Sequence, residues 1–592
     1  MYKKESWSLK ELVPSDDVSG ARRILDTVEQ LVRKIELYKT KFHHSMSSSD
    51  FNALIDDIEK YSAMSHRVQQ YAGLRVSQNS LDAEATAFSA KVDSVCADTA
   101  NRLLWFSLDF VKFPADDVAR LIASCQKARY YLEQIVAGKK FLLTDKEEKI
   151  INIKNVNGTS AVVTLYDILT SGFTFPFKGK DVTESELLKF VRDKNPKNRR
   201  EAYASLFAVF KKHESLFGEM YRAIVADWGK EDVELRGHKS PVAVRNFAND
   251  IPDEVIETLM SVAEKNKTVW HKYFRLKARL LKTNTKNEKL SRYDLYAPIG
   301  GADETISFGK GSHLVLDTFR YFSPVWSDCA KRLFDEHHIH SSVVRGKDQG
   351  AFCSGTIPRI DPYVLLNYTD DPRSVSVLAH ELGHAIHFML ATKKQSMFHA
   401  HAALPVAETA SIFSELLLIE KLKKEKPKIV KSLLFQQVDN AYASIGRQIE
   451  FVAFEKEAHE LIKNHGSTED LKRLYWKRLK NHFGSAVDVP VVFESEWSVI
   501  PHIFHTPFYC YAYGFGNLLA LSLYSAYQEA VKKSGDDGAK MVRTITELLS
   551  AGGSDSPAVI VKRAGFDIAS ESFWQRGFDT LSKMIDDVGK SS

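Results

Sequence analysis

Two histidines four residues apart, His380 and His384, with Glu381 beside the first, are the residues of this chain best suited to chemistry. On a helix that spacing puts both imidazoles on one face, one turn apart, where they can share a tetrahedral zinc ion. Glu381 lies about 100° round the helix from His380, within reach of a metal-bound water without ligating the ion. The chemistry implied is metal-assisted hydrolysis. The five residues HELGH also arise by chance, so their surroundings have to decide. SVSVLAHELGHAIHFML is otherwise apolar and small, and three titratable groups buried there without partners would be costly. A bound cation removes that cost.

A third ligand has to come from elsewhere. The metzincin pattern requires Gly and His three and six residues after the second ligand, where this chain has His387 and Leu390. Between His384 and Glu408 there is no acidic residue, and Glu408 stands in PVAETASIFSELLL, an apolar segment of helical period. Glu408 is therefore the expected third ligand, against the alternative of a surface glutamate. His399 and His401 are rival donors, expected to be solvent-exposed in a polar connection. Glu415 returns to the face of Glu408 and is either a partner for a ligating histidine or a plain helix-surface residue. His387 reads as a packed core histidine.

The elements that must position these residues are mostly helices. Apolar residues recur at three-and-four spacing from Ser19 to Tyr38, Phe51 to Tyr71, Ala83 to Val111 and Val118 to Ile135. SGFTFPFKGKDVT (171–183) breaks the pattern as loop with a short strand. Thr183 with Glu186 then forms a capping-box signature. A boundary near 195 divides an amino-terminal helical region (1–195) from the region carrying the chemistry (196–592). SSVVRGKDQGAF and PYVLLNY, within 341–370, read as a small sheet immediately before the HELGH helix.

With 592 residues, the chain is too long for one ordinary core. Its 81 basic and 76 acidic side chains nearly balance, so composition gives no reason to expect nucleic acid as a partner. The amino terminus lacks the apolar run of a secretory signal, and no window has the roughly 20 apolar residues of a membrane span. Five scattered cysteines without CxxC pairs suit a reducing compartment. These readings point to a cytoplasmic protein without membrane partners. They leave the oligomeric state open.

HELGHAIH, followed 24 residues after its second histidine by ETASIFSE, resembles the metal signature of oligoendopeptidase F in the thimet-oligopeptidase-like zinc metallopeptidases. WSLKELVPSD, FTFPFKGKDVTESEL, NRREAYASLF, YDLYAPIG, GKDQGAF, DPYVLLNYTDD and IPHIFHTPFYCYAYGFGN are similar to landmarks of that family, in family order. The resemblance spans nearly the whole chain. It implies an elongated helical fold with a deep channel for short peptides. His380, His384 and Glu408 would then bind one zinc ion, with Glu381 as general base. It further implies that the PYVLLNY strand lines the channel and pairs with substrate backbone. His502 with Tyr509 or Tyr511 would stabilise the tetrahedral intermediate, Tyr513 being a neighbour in the same cluster. A His₂Glu set also accepts cobalt or manganese, zinc being the default. The alternatives are a carboxypeptidase, an enzyme of the angiotensin-converting type, and a catalytically silent peptide-binding protein.

Overall fold

A computed structural model describes residues 2–282, 289–299, 304–533 and 535–590. The last residue of the YDLYAPIG landmark, Gly300, lies outside them. Helices make up 72% of the structure, so the mostly α expectation holds.

The amino-terminal region is built on α1 (Val18–Glu36), α2 (Ser48–Gln78) and α3 (Ala83–Leu103). Asp17, Ser47 and Asp82 cap their first turns by accepting backbone N–H groups that the helix leaves without partners. The 171–183 segment is a short antiparallel hairpin of Phe175–Phe177 with Lys180–Val182, and the Thr183–Glu186 capping box follows it.

The sheet before the HELGH helix is smaller than its sequence pattern suggests. It consists of β1 (Ile339–His340), β2 (Phe352–Ser354) and β3 (Tyr363–Leu365), in the order β1-β3-β2. The stretch between β1 and β2 is loop, and its Gly346 takes a positive φ of 86°. Because β3 is paired on both sides and buried along its length, PYVLLNY cannot offer an edge to a peptide. A margin of the sheet belongs to β2 and not to β3, which corrects the expectation for PYVLLNY. A run buried on both faces reads as a strand, and periodicity does not separate a central strand from an edge.

The HELGH helix α4 (Pro372–Thr392) starts with Asp371 as N-cap and Pro372 in the first turn. It packs along α5 (Thr409–Glu425); α7 (Tyr511–Lys533) closes on the start of α5, and α6 (Arg447–Lys463) packs against α7. One large apolar core runs from Tyr166 to Val588. Two smaller clusters serve the amino-terminal helices. One of them takes in Ile357, Tyr363 and Leu365, fixing the amino-terminal region to the small sheet. No described helix is long and apolar enough to cross a membrane.

Candidate metal and active site

Gly383 allows α4 and α5 to approach as closely as they do. A Cβ there would lie 2.6 Å from the Ser411 Cα and 2.7 Å from the Ala410 carbonyl oxygen. The approach brings α5's first residues against the histidine face of α4. Glu408 sits at the junction between the short helix Leu404–Ala407 and α5. On its other side α7 closes in, where a Cβ on Gly516 would be 3.1 Å from the Glu408 Cβ.

The result is a convergent donor set. Glu408 Oε2 is 3.4 Å from His380 Nε2 and 3.5 Å from His384 Nε2. A tetrahedral ion bound about 2.0–2.2 Å from each donor would hold those donors about 3.3 Å apart. The residues therefore fit a zinc ion in spacing and in donor type. Glu415 accepts a hydrogen bond from His380 Nδ1 at 2.6 Å and from Ser376 Oγ at 3.1 Å. With Nδ1 carrying the proton, Nε2 turns its lone pair to the site, the usual arrangement for a ligating histidine. Glu415 thus reaches the site as a partner of His380.

Glu381 is buried at 6% exposure and lines the same cavity as the three donors. Burial pushes its carboxyl above the ordinary range, while His380 and His384 pull it back. His387 is also buried, and burial lowers it to about 4. His399 is buried as well, contrary to expectation, because the amino-terminal region covers it: Tyr131 N–H donates to its Nε2 at 3.2 Å. His401 is exposed and lines the cavity beside Phe388.

The cavity holds about 840 Å³. On one side it is lined by β2 and α4, and on the other by α2 through Gln69, Gln70, Gly73, Leu74 and Ser77. Gln70 links the two walls: its Nε2 donates to the Ser354 carbonyl at 2.7 Å, and its Oε1 accepts from Thr356 Oγ1 at 2.6 Å. Sequence reasoning missed Gln70, which stands nearly 300 positions from its partners in an unremarkable helical pattern.

The carboxy-terminal aromatic cluster divides. His502 and Tyr509 rings stack with centroids 6.0 Å apart, and Tyr513 Oη lies 3.4 Å from His502 Nε2. Tyr513 and Gly516 are three residues apart on α7 and share a face, so Tyr513 is turned towards Glu408. Burial is the main cause that raises its hydroxyl's pKa, and Glu408 adds to it. Tyr511 points elsewhere; it is fully buried, and its hydroxyl accepts from Asn249 Nδ2 at 2.8 Å.

A helical scaffold that sets HExxH histidines and a carboxylate from the following helix at the edge of a cavity defines a metal-dependent hydrolase. The chain belongs to peptidase family M3, whose profile matches residues 190–580. Residues 109–175 match a second profile, Oligopeptidase F. Group B oligopeptidase PepB of Streptococcus agalactiae is 24% identical over 98% of this chain and 96% of its own. Oligopeptidase PepF of Bacillus subtilis is 23% identical over 99% of this chain and 87% of its own. Among solved structures, a Chlamydophila abortus protein assigned to the peptidases superposes with a TM-score of 0.86 at 22% identity, covering 99% of this chain and 98% of its own. Oligoendopeptidase-F of Enterococcus faecium gives 0.71 at 19% identity, covering 97% and 99%.

Proposed function

We propose that this chain is a zinc-dependent endopeptidase that hydrolyses internal bonds of short peptides. The observation that carries the reading is the donor set of His380, His384 and Glu408 beside a buried Glu381, at the edge of a two-walled cavity. Those three residues would hold the zinc, which when bound polarises the scissile carbonyl and lowers the pKa of its water. Glu381 takes a proton from the attacking water and returns it to the leaving nitrogen. Glu415 fixes the His380 ring. His502, Tyr509 and Tyr513 supply hydrogen bonds to the oxyanion as it develops, and Tyr511 is assigned to packing. Substrate backbone lies along the β2 edge, with side chains directed alternately into the cavity and away from it.

We assign residues 1–195 to a helical domain that roofs the cavity, 196–592 to the catalytic domain, and the protein to the cytoplasm. The deciding experiment is mass spectrometry of the products from peptides of graded length, with and without a chelator. Internal cuts in short peptides, abolished by chelation and restored by zinc, are expected. Single residues released from one end would make it a carboxypeptidase. Bound zinc without cleavage would make it a peptide-binding protein.

A further inference from the structure

Among the described residues, one other group of three brings metal-ligating atoms together. Glu11, Glu336 and His338 each offer a donor atom within 4.8 Å of the others, none of them shared with the HELGH donor set. Two stretches of chain meet here. Glu11 belongs to the amino-terminal strap, Glu336 ends the helix Pro324–Asp335, and His338 precedes β1.

Acidic side chains often gather at a surface without a ligand; His338 makes this cluster different. Its side chain is 0% exposed, and neither ring nitrogen reaches a partner in good hydrogen-bond geometry, although the backbone carbonyls of Asp361 and Pro362 lie beside the ring. The ring stacks on Tyr363 at a centroid distance of 4.0 Å, and the Tyr363 hydroxyl is likewise buried without a partner. Buried polar atoms held this poorly are costly if nothing answers them. His338 Nε2 points to Glu11 Oε2 at 3.7 Å, too long for a hydrogen bond and close to the spacing of two donors on one ion.

The local charge agrees. Glu11, Glu336 and Asp361 supply three carboxylates. Arg332 pairs with Asp361 at 2.7 Å and approaches Glu336 at 3.6 Å. Arg67 is held by the backbone carbonyls of Leu12 and Glu11. The carboxyl end of Pro324–Asp335 adds the negative pole of a helix.

We propose that Glu11, Glu336 and His338 form a second divalent-cation site, of zinc-binding character, that pins the amino-terminal strap to the small sheet. One imidazole nitrogen and two carboxylate oxygens suit a borderline cation, with water completing the shell. The strap already runs along this edge: Ser8 N–H donates to the His337 carbonyl at 2.8 Å, and Ser341 N–H to that of Glu5 at 2.9 Å. A cation here locks the strap onto the sheet whose far margin lines the cavity. Its role is structural.

The test is zinc titration of the full-length, chelator-stripped protein by calorimetry, with metal content measured after dialysis. The parent is expected to take up two equivalents. Glu11→Gln combined with Glu336→Gln should take up one, leave peptide cleavage within twofold, and lose part of the zinc-induced rise in thermal midpoint. His384→Gln should keep the second equivalent. A parent that binds one equivalent, lost in His384→Gln, would overturn the proposal, and so would a Glu11/Glu336 double variant that still binds two. One equivalent lost only in the double variant would sustain it while removing the metal from the proposed active site.

Discussion

Two carboxylates near His380 occupy different surroundings, and their substitutions should separate. Glu381 is buried in the cavity wall and makes no bond to a ligating histidine, so Glu381→Gln should keep its zinc while peptide hydrolysis falls by about 10²–10⁴. Parallel measurement of metal content and initial rate checks this; near-parental turnover would remove Glu381 as the base. Glu415 accepts from His380 Nδ1, so Glu415→Gln weakens the hold on that ring. Its zinc affinity should drop about 10–100-fold in chelator competition, with activity recovering at high zinc. Glu408 was legible in the sequence because no other carboxylate intervenes after His384 and its segment is apolar. Which of the tyrosines turn towards Glu408 was not legible. Tyr509, Tyr511 and Tyr513 recur every second residue, and which of them face together depends on where the helix begins. It begins at Tyr511, so Tyr511 and Tyr513 lie about 200° apart on α7, and only Tyr513 shares the Glu408 face.

At the scale of elements, the site depends on α4 and α5 being close and on a pinned loop before α7. Gly383→Ala places a methyl group 2.6 Å from the Ser411 Cα, where backbone has to move. The variant should lose about 1–3 kcal/mol in denaturant unfolding and bind zinc more weakly, since the same shift displaces Glu408. Unchanged stability and affinity would mean that the helices accommodate the methyl group. The loop is held by Glu455 on α6, whose Oε1 accepts from Phe508 N–H at 2.8 Å, and Phe508 has a positive φ of 59°. For a bulky residue this is a strained conformation that needs such an anchor. Glu455 is fully buried, and burial pushes its carboxyl up to about 8, against about 4.3 when unfolded. Between those values the folded state holds a proton that the unfolded state has released, so stability falls as pH rises towards 8. The parent's thermal midpoint should therefore drop more steeply from pH 5 to 8 than that of Glu455→Gln, whose amide keeps an acceptor and does not titrate. Parallel curves would show that Glu455 is not the group responsible. The HELGH helix and its cap were readable from local pattern. The pinning of this loop was not, because it joins residues 53 positions apart through one carboxyl.

The cavity exists only because distant parts of the chain meet. Its catalytic wall comes from residues 351–408 and its opposite wall from 69–77, and a shared apolar cluster joins Val68, Tyr71, Ala72 and Leu74 to Tyr363 and Leu365. Helical period revealed α2 as an amphipathic element, but nothing in its pattern says which surface it covers, since any apolar stripe suits any apolar partner. Burial alone would hold this roof in place, and Gln70 adds a directional link to β2, the strand proposed to carry the substrate. With Gln70 gone, Ser354 and Thr356 lose their partners, and β2 is free to shift relative to both the roof and α4. Gln70→Ala should therefore lower kcat/KM for short peptides about tenfold, the equivalent of roughly 1.4 kcal/mol, within the range of one or two such hydrogen bonds. Zinc content should stay at the parental level, because none of His380, His384 and Glu408 is touched. A steady-state comparison on one internally cleaved peptide, with metal analysis of the same samples, makes the distinction. If kcat/KM were unchanged, the roof would only cover the site and β2 would hold its place without it; a fall in zinc content would mean that Gln70 acts through the metal helix instead.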